Sequence, residues 1–153
     1  MPDSRPAKTY YSNPDTASIK EVPQPVQHLA IANMAETVGG KIVFYTMEDF
    51  YTLATQEVIR QKLAPRPPAT GVIFYRLSQF YNGRPTPNIA LMREFISAGY
   101  EIHFARERIS IRSLAELESL FPVIYATHHV ENRDGKRDFF NALLDSAKPG
   151  AAR

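Results

Sequence analysis

Between Gly71 and Glu107 the apolar positions change period twice. Gly71-Val72-Ile73-Phe74-Tyr75 is a continuous apolar run of strand length, rich in β-favouring residues. Ile89, Met92, Phe95 and Ile96 then recur at helical spacing and give one apolar face. Thr86 is placed to cap that helix with Pro87 in its first position, and Gly99 stands where a left-handed C-cap belongs. Tyr100-Glu101-Ile102-His103-Phe104 resumes a strand. Strand, helix and strand joined this tightly predict a right-handed crossover in a parallel sheet. Such sheets place their sites at the carboxyl ends of the strands.

The same alternation extends to both sides. Lys8-Thr9-Tyr10-Tyr11 reads as a short first strand ending at Ser12, and Asn13-Pro14-Asp15 as a turn. Val26, Leu29, Ala30, Met34 and Val38 share a helical face that Gly39-Gly40 ends. Lys41 to Tyr45 is a second strand. A helix from about Asp49 to Leu63 follows, with Phe50, Leu53, Ala54 and Ile59 on one side, until Pro65-Arg66-Pro67-Pro68 stops it. Beyond Glu107, Ser113 to Glu116 has the form of a capping box. Leu114, Leu117, Leu120, Phe121, Ile124 and Tyr125 make the face of that helix, which Pro122 should kink or restart. Asp134-Gly135 reads as a break, Phe139, Phe140, Leu143 and Leu144 as a short last helix, and Pro149-Gly150 as the start of a frayed tail. The order is βαβαβαβα. It predicts an α/β fold, a mostly parallel sheet flanked by helices on both faces. Residues 1–25 form an N-terminal arm that includes the first strand, 26–147 a single domain, and 148–153 a flexible tail.

Composition narrows the class. The 153 residues are 44% hydrophobic and 22% charged, as expected of one globular domain. A net charge of +2 does not call for a nucleic-acid partner. With no cysteine there are no disulfides, thiolate metal sites or thiol nucleophiles. No apolar run reaches membrane-spanning length, and the polar start is not a signal peptide, so the expectation is a cytoplasmic protein with no membrane partner. Gly39-Gly40 precedes a strand, so neither nucleotide-binding glycine motif is present and no cofactor is expected. His128-His129 has no metal-ligand spacing with His28 or His103, and no metal site is expected. Most of the aromatic residues, among them Phe44, Tyr45, Phe74 and Tyr75, belong to core and sheet packing. Phe80 and Tyr81, in the loop after the central strand, are the ones expected at the surface.

Two places carry candidate chemistry. Ser12 ends the first strand, where a nucleophilic hydroxyl can be exposed; a turn serine is the plainer reading, since no base or cation lies close in sequence. Arg106, Glu107 and Arg108 cluster after a strand, as a solvated strand end or a phosphate contact. The other arginines are scattered and form no basic stripe.

The arrangement resembles the catalytic domain of serine recombinases, the resolvase/invertase family. Val72 to Asn82 occupies the family's strand and its Asp-Arg-Leu-x-Arg motif. Asn88 to Gly99 is similar to its following helix, and Glu101 to Ile111 to its strand and acidic-isoleucine turn. Gln27 to Phe44 matches the first helix and second strand, Thr9 to Ser12 the strand bearing the nucleophile, and Ile124 to Glu131 the start of the dimerising helix. The resemblance implies a resolvase-like fold and a Ser12 that attacks a phosphodiester, with arginines stabilising the developing charge.

The arginines are missing. The residue two before the serine is Tyr10, and the one expected before the central strand is Gln56. The central motif's acid and two arginines fall on Ser78, Gln79 and Asn82, and the Glu-Arg pair of the long helix on Glu131-Asn132. Amides can hydrogen-bond phosphate but supply no charge, and one arginine in a phosphoryl site is worth about 10³-fold or more. No helix-turn-helix follows. The expectation is a recombinase-like domain that is catalytically inactive, with an accessory role in DNA recombination or a protein-interaction role. Its partners would be DNA, weakly through the backbone, and a second copy or another recombinase-like subunit. Ser12 is the catalytic candidate; Tyr10, Gln56, Arg76, Ser78, Gln79, Asn82 and Arg106 are the candidate phosphate or ligand contacts. The alternatives are an active strand-exchange enzyme using Ser12, or an unrelated small α/β domain binding a nucleotide or protein near Ser12, Tyr45, Ser78 and Arg106.

Overall fold

A computed structural model describes residues 7–48, 56–63, 69–81 and 86–130. Its strands are β1 (Lys8–Asn13), β2 (Gly40–Tyr45), β3 (Gly71–Phe74), β4 (Glu101–Phe104) and β5 (Ile109–Ile111). They form one sheet in the order β2-β1-β3-β4-β5, so the first strand lies at its middle. β1 pairs in parallel with both β2 and β3, and β3 in parallel with β4. β5 pairs antiparallel with β4. This last strand departs from the strict strand–helix alternation expected. Arg108 at φ 57° closes a four-residue turn, and Ile109-Ser110-Ile111 is too short to stand out as a strand by period.

The helices are α1 (Gln24–Thr37), α2 (Glu57–Leu63), α3 (Ile89–Ser97), α4 (Leu114–Ser119) and α5, residues 121–130. Alternation along the strands sorts the core into two layers. Val72, Phe74, Ile102, Phe104 and Ile111 pack with Ile59, Met92, Phe95 and Leu117 from α2, α3 and α4. Ile73 and Tyr75 point the other way with Tyr10, against Ile31, Met34 and Ala35 of α1. Among the described residues α1 is the one α-helix on that face.

Several local signals act as expected. Ser113 Oγ accepts the Glu116 amide at 3.1 Å while Glu116 Oε2 accepts the Arg112 amide at 2.8 Å, the reciprocal capping box. Helix stops at Leu120 and restarts at residue 121, beside Pro122. Gly99, at φ 96°, ends α3 in the left-handed region. The cap of α3 is displaced from Thr86 to Asn88, whose Oδ1 accepts the Leu91 amide at 3.2 Å. Pro87 therefore precedes the helix, and asparagine is the better N-cap.

Two aromatic expectations reverse. Phe80 and Tyr81 are buried, because a 3₁₀ turn (Leu77–Phe80) folds Phe80 edge-on against Phe74 at 4.8 Å and Phe104 at 5.5 Å. Phe44 and Tyr45 are 41% and 60% exposed, because β2 is an edge strand. The expected features at Asp134-Gly135, Phe139 to Leu144 and Pro149-Gly150, with the Glu131-Asn132 pair, lie outside the described residues, as do Asn82 and the first part of the helix before Leu63.

Candidate functional site

β1 ends in two fully buried polar residues, Ser12 and Asn13. The parallel pairing carries the chain out of β3 beside them, and Tyr75 donates its amide to the Asn13 carbonyl at 3.3 Å. The 3₁₀ turn after β3 then drops Gln79 behind Asn13. Gln79 Nε2 donates to the carbonyls of Asn13 at 3.0 Å and Pro14 at 3.3 Å, and its Oε1 accepts the Arg76 amide at 3.0 Å. Gln56 completes the group: its Oε1 accepts from Asn13 Nδ2 at 3.0 Å and its Nε2 donates to the Gln79 carbonyl at 2.9 Å. These bonds hold Gln56 at φ 53°, a left-handed conformation that costs a non-glycine residue roughly 1–2 kcal/mol. Asn13 Oδ1 is buried with no hydrogen-bond partner among the described residues.

Ser12 itself points toward α1. Because α1 follows β1 and returns over the sheet, its first turns lie beside the strand's carboxyl end. Ser12 Oγ is 2.9 Å from His28 Nδ1, and Gln24 Nε2 is 3.2 Å from His28 Nε2. Tyr45 lies edge-on to the His28 ring, 5.0 Å between centroids. Burial pushes the His28 pKa down, so the ring is neutral near pH 7. The Gln24 amide donates to Nε2, which leaves the proton on Nδ1 and makes Ser12 Oγ the acceptor. In this tautomer His28 has no lone pair for the Ser12 proton.

Cations stand back from the serine. Arg76 Nε is 3.7 Å from Asp15 Oδ2 and its Nη1 3.9 Å from Glu21 Oε2. Arg106 is exposed in the β4–β5 turn, its amide donating to the Tyr75 carbonyl at 2.8 Å. Ser78 is half-buried in the 3₁₀ turn. Of the sequence candidates, Ser12, Gln56, Arg76 and Gln79 thus gather around Asn13. Tyr10 does not: its hydroxyl donates to Glu101 Oε1 at 2.8 Å, at the far end of the sheet. Among the described residues no group of three or more His, Asp or Glu is placed to hold a metal ion, and no helix is long and apolar enough to cross a membrane.

His28, Gln24 and Asn13 escaped the sequence reading. The available signal was the position of Gln24 and His28, one helical turn apart in the helix that follows the Ser12 strand.

Fold and site define an α/β domain with a five-stranded, mostly parallel sheet and a polar cluster at the carboxyl end of its middle strand. No family model matches the chain, and no curated protein or solved structure matches it either.

Proposed function

We propose that this chain is a recombinase-like domain that performs no strand exchange and serves as an accessory or protein-interaction module, alone or beside a second such subunit. One observation carries the reading. Gln56 and Gln79, standing where the resemblance expects arginines, close a neutral amide ring around Asn13 behind Ser12. Amides that satisfy one another in this way supply no charge to a phosphorane. The buried Ser12 hydroxyl accepts rather than gives its hydrogen bond to His28.

The test pairs duplex-DNA binding over a salt series with trapping of a serine–DNA adduct on supercoiled substrate. The expectation is weak binding with a shallow salt slope and no adduct. A covalent adduct that disappears in Ser12→Ala overturns the proposal. It would establish the second reading, an active enzyme using Ser12, and would require the opposite His28 tautomer at the 2.9 Å contact.

A further inference from the structure

The α1 face of the sheet carries a second polar group, remote from Ser12. Residues 108 to 112 read Arg-Ile-Ser-Ile-Arg. In β5 the two isoleucines pack into the core below, which sends Ser110 to the opposite face, where Arg108 and Arg112 from either end of the strand join it. α1 leaves this part of the sheet uncovered. A cavity of about 530 Å³ opens there, lined by Asn33, Met34 and Thr37 of α1 and by Arg108, Ser110 and Arg112. Its size suits a small organic ligand.

Behind Ser110 lies a chain of three groups. Ser110 is cross-strand partner to His103, with Oγ 2.8 Å from Nδ1. His103 Nε2 is 2.9 Å from Glu101 Oε1. Glu101 also accepts from the Tyr10 hydroxyl at 2.8 Å and from Lys8 Nζ at 3.2 Å. Burial works against its ionisation, but the hydrogen bonds from His103, Tyr10 and Lys8 prevail and hold the carboxyl below its ordinary range. An ionised Glu101 can only accept, so His103 carries its proton on Nε2. Burial outweighs the pull of Glu101 and keeps the ring neutral, which leaves Nδ1 a bare acceptor facing the Ser110 hydroxyl. This is the tautomer that His28 lacks. Tyr10 fixes the His103 ring edge-on at 5.2 Å.

We propose that Ser110, His103 and Glu101 form a nucleophilic relay that opens into this cavity and cleaves esters of small molecules bearing a second, anionic group. Ser110 Oγ attacks the carbonyl carbon as its proton passes to His103 Nδ1. The alkoxide leaves with that proton, and water then releases the acid from the serine by the reverse sequence. Glu101 is a positioning residue, which fixes the tautomer. Arg108, in the turn before β5, and Arg112, just after it, stand two residues to either side of Ser110 in sequence and line the same cavity. Arg112 Nε already lies 3.8 Å from Glu101 Oε1, and among the described residues no acid lines the cavity, so Arg108 is the cation that recognises the anionic group. The proposal stands apart from the reading of the Ser12 end.

The test is labelling of the intact chain by an alkyl fluorophosphonate, which esterifies activated serines with loss of fluoride, followed by peptide mass spectrometry. Ser110 should be labelled, and Ser110→Ala should not. Glu101→Gln, which keeps the shape but loses the fixed tautomer, should slow labelling by about 10²- to 10⁴-fold. Arg108→Gln should remove any preference for a p-nitrophenyl half-ester of a dicarboxylic acid over p-nitrophenyl acetate. No label at Ser110 under conditions that label a known serine esterase overturns the proposal. So does a label confined to Ser12, or a rate unchanged in folded Glu101→Gln.

Discussion

Gln79→Leu isolates the amide ring from the rest of the site. Gln79 is 2% exposed, and leucine fills nearly the same space, so little cavity energy enters. The loss is in hydrogen bonding. The Arg76 amide loses its 3.0 Å acceptor, and the Asn13 and Pro14 carbonyls lose donors at 3.0 and 3.3 Å. Asn13 retains the Tyr75 amide at 3.3 Å, so its carbonyl is not fully stranded. A stranded buried donor costs about 1–3 kcal/mol and each of the two further lost bonds about 0.5–1.5 kcal/mol, a range of about 2–6 kcal/mol; the retained Tyr75 bond and the 3.3 Å length of the Pro14 bond place the variant in its lower half, about 2–4 kcal/mol. Set against a domain stability of about 5–15 kcal/mol, the variant remains folded but weakened. Urea unfolding followed by circular dichroism should show a midpoint about 1–2 M lower with an unchanged slope. Gln79→Arg, which restores the residue type the resemblance expects, should be worse, because a guanidinium cannot accept the Arg76 amide. A midpoint within about 0.3 M of the parent for Gln79→Leu would show that the ring is incidental, and with it the structural argument for a neutral site.

Three further outcomes follow from the same contacts. His103, His28 and Glu101 all have folded pKa values below their ordinary 6.5, 6.5 and 4.5, so the unfolded chain binds more protons in acid. Stability should be flat from neutrality up to the ordinary tyrosine value of 10.0, above which buried Tyr10 and Tyr100 oppose ionisation, and should begin to fall as pH drops through 6.5 and fall further below 4.5; a maximum in acid would contradict this. Gln24→Glu should move the His28 proton from Nδ1 to Nε2, read from ring ¹⁵N shifts, since a carboxylate accepts where the amide donates; unchanged shifts would refute the assignment. Ser113→Ala should cost about 0.5–2 kcal/mol in thermal or urea unfolding, from the lost cap on the Glu116 amide, and no measurable change would mean that solvent replaces it.

What the sequence revealed follows period and punctuation. The strand at Gly71, the helix closing at Gly99 and the capping box at Ser113 were legible because each depends on residues within one turn of each other. β5 was not, because three residues carry too little alternation and its partner, not its own propensity, makes it a strand. The exposure of Tyr45 and the burial of Phe80 depend on strand order, which no local pattern encodes. Ser12 was visible as a strand-end hydroxyl, but His28 reaches it only once α1 returns over the sheet. The resemblance groups Tyr10 with Ser12, since it stands where an arginine is expected two residues before the serine. Its long side chain instead reaches the start of β4.

The central position of β1 also bears on how the chain acquires its structure. β1 can pair early with β2, but its other neighbour begins at Gly71, which pairs with Tyr10. At about 5–20 residues per second of synthesis, those sixty or so residues delay that pairing by roughly 3–12 s. Until then one edge of β1 is open. β4 arrives later still and closes over the far side of β3. Topology of this kind makes folding slow and leaves a nascent intermediate open to association. Gly71 sets the closing step, since a Cβ there would collide with the Glu101 carbonyl oxygen. The contact that joins β4 to β3 is therefore one with little room for error, and a substitution at Gly71 should lower the yield of folded protein during expression more than it lowers the stability of the molecules that succeed.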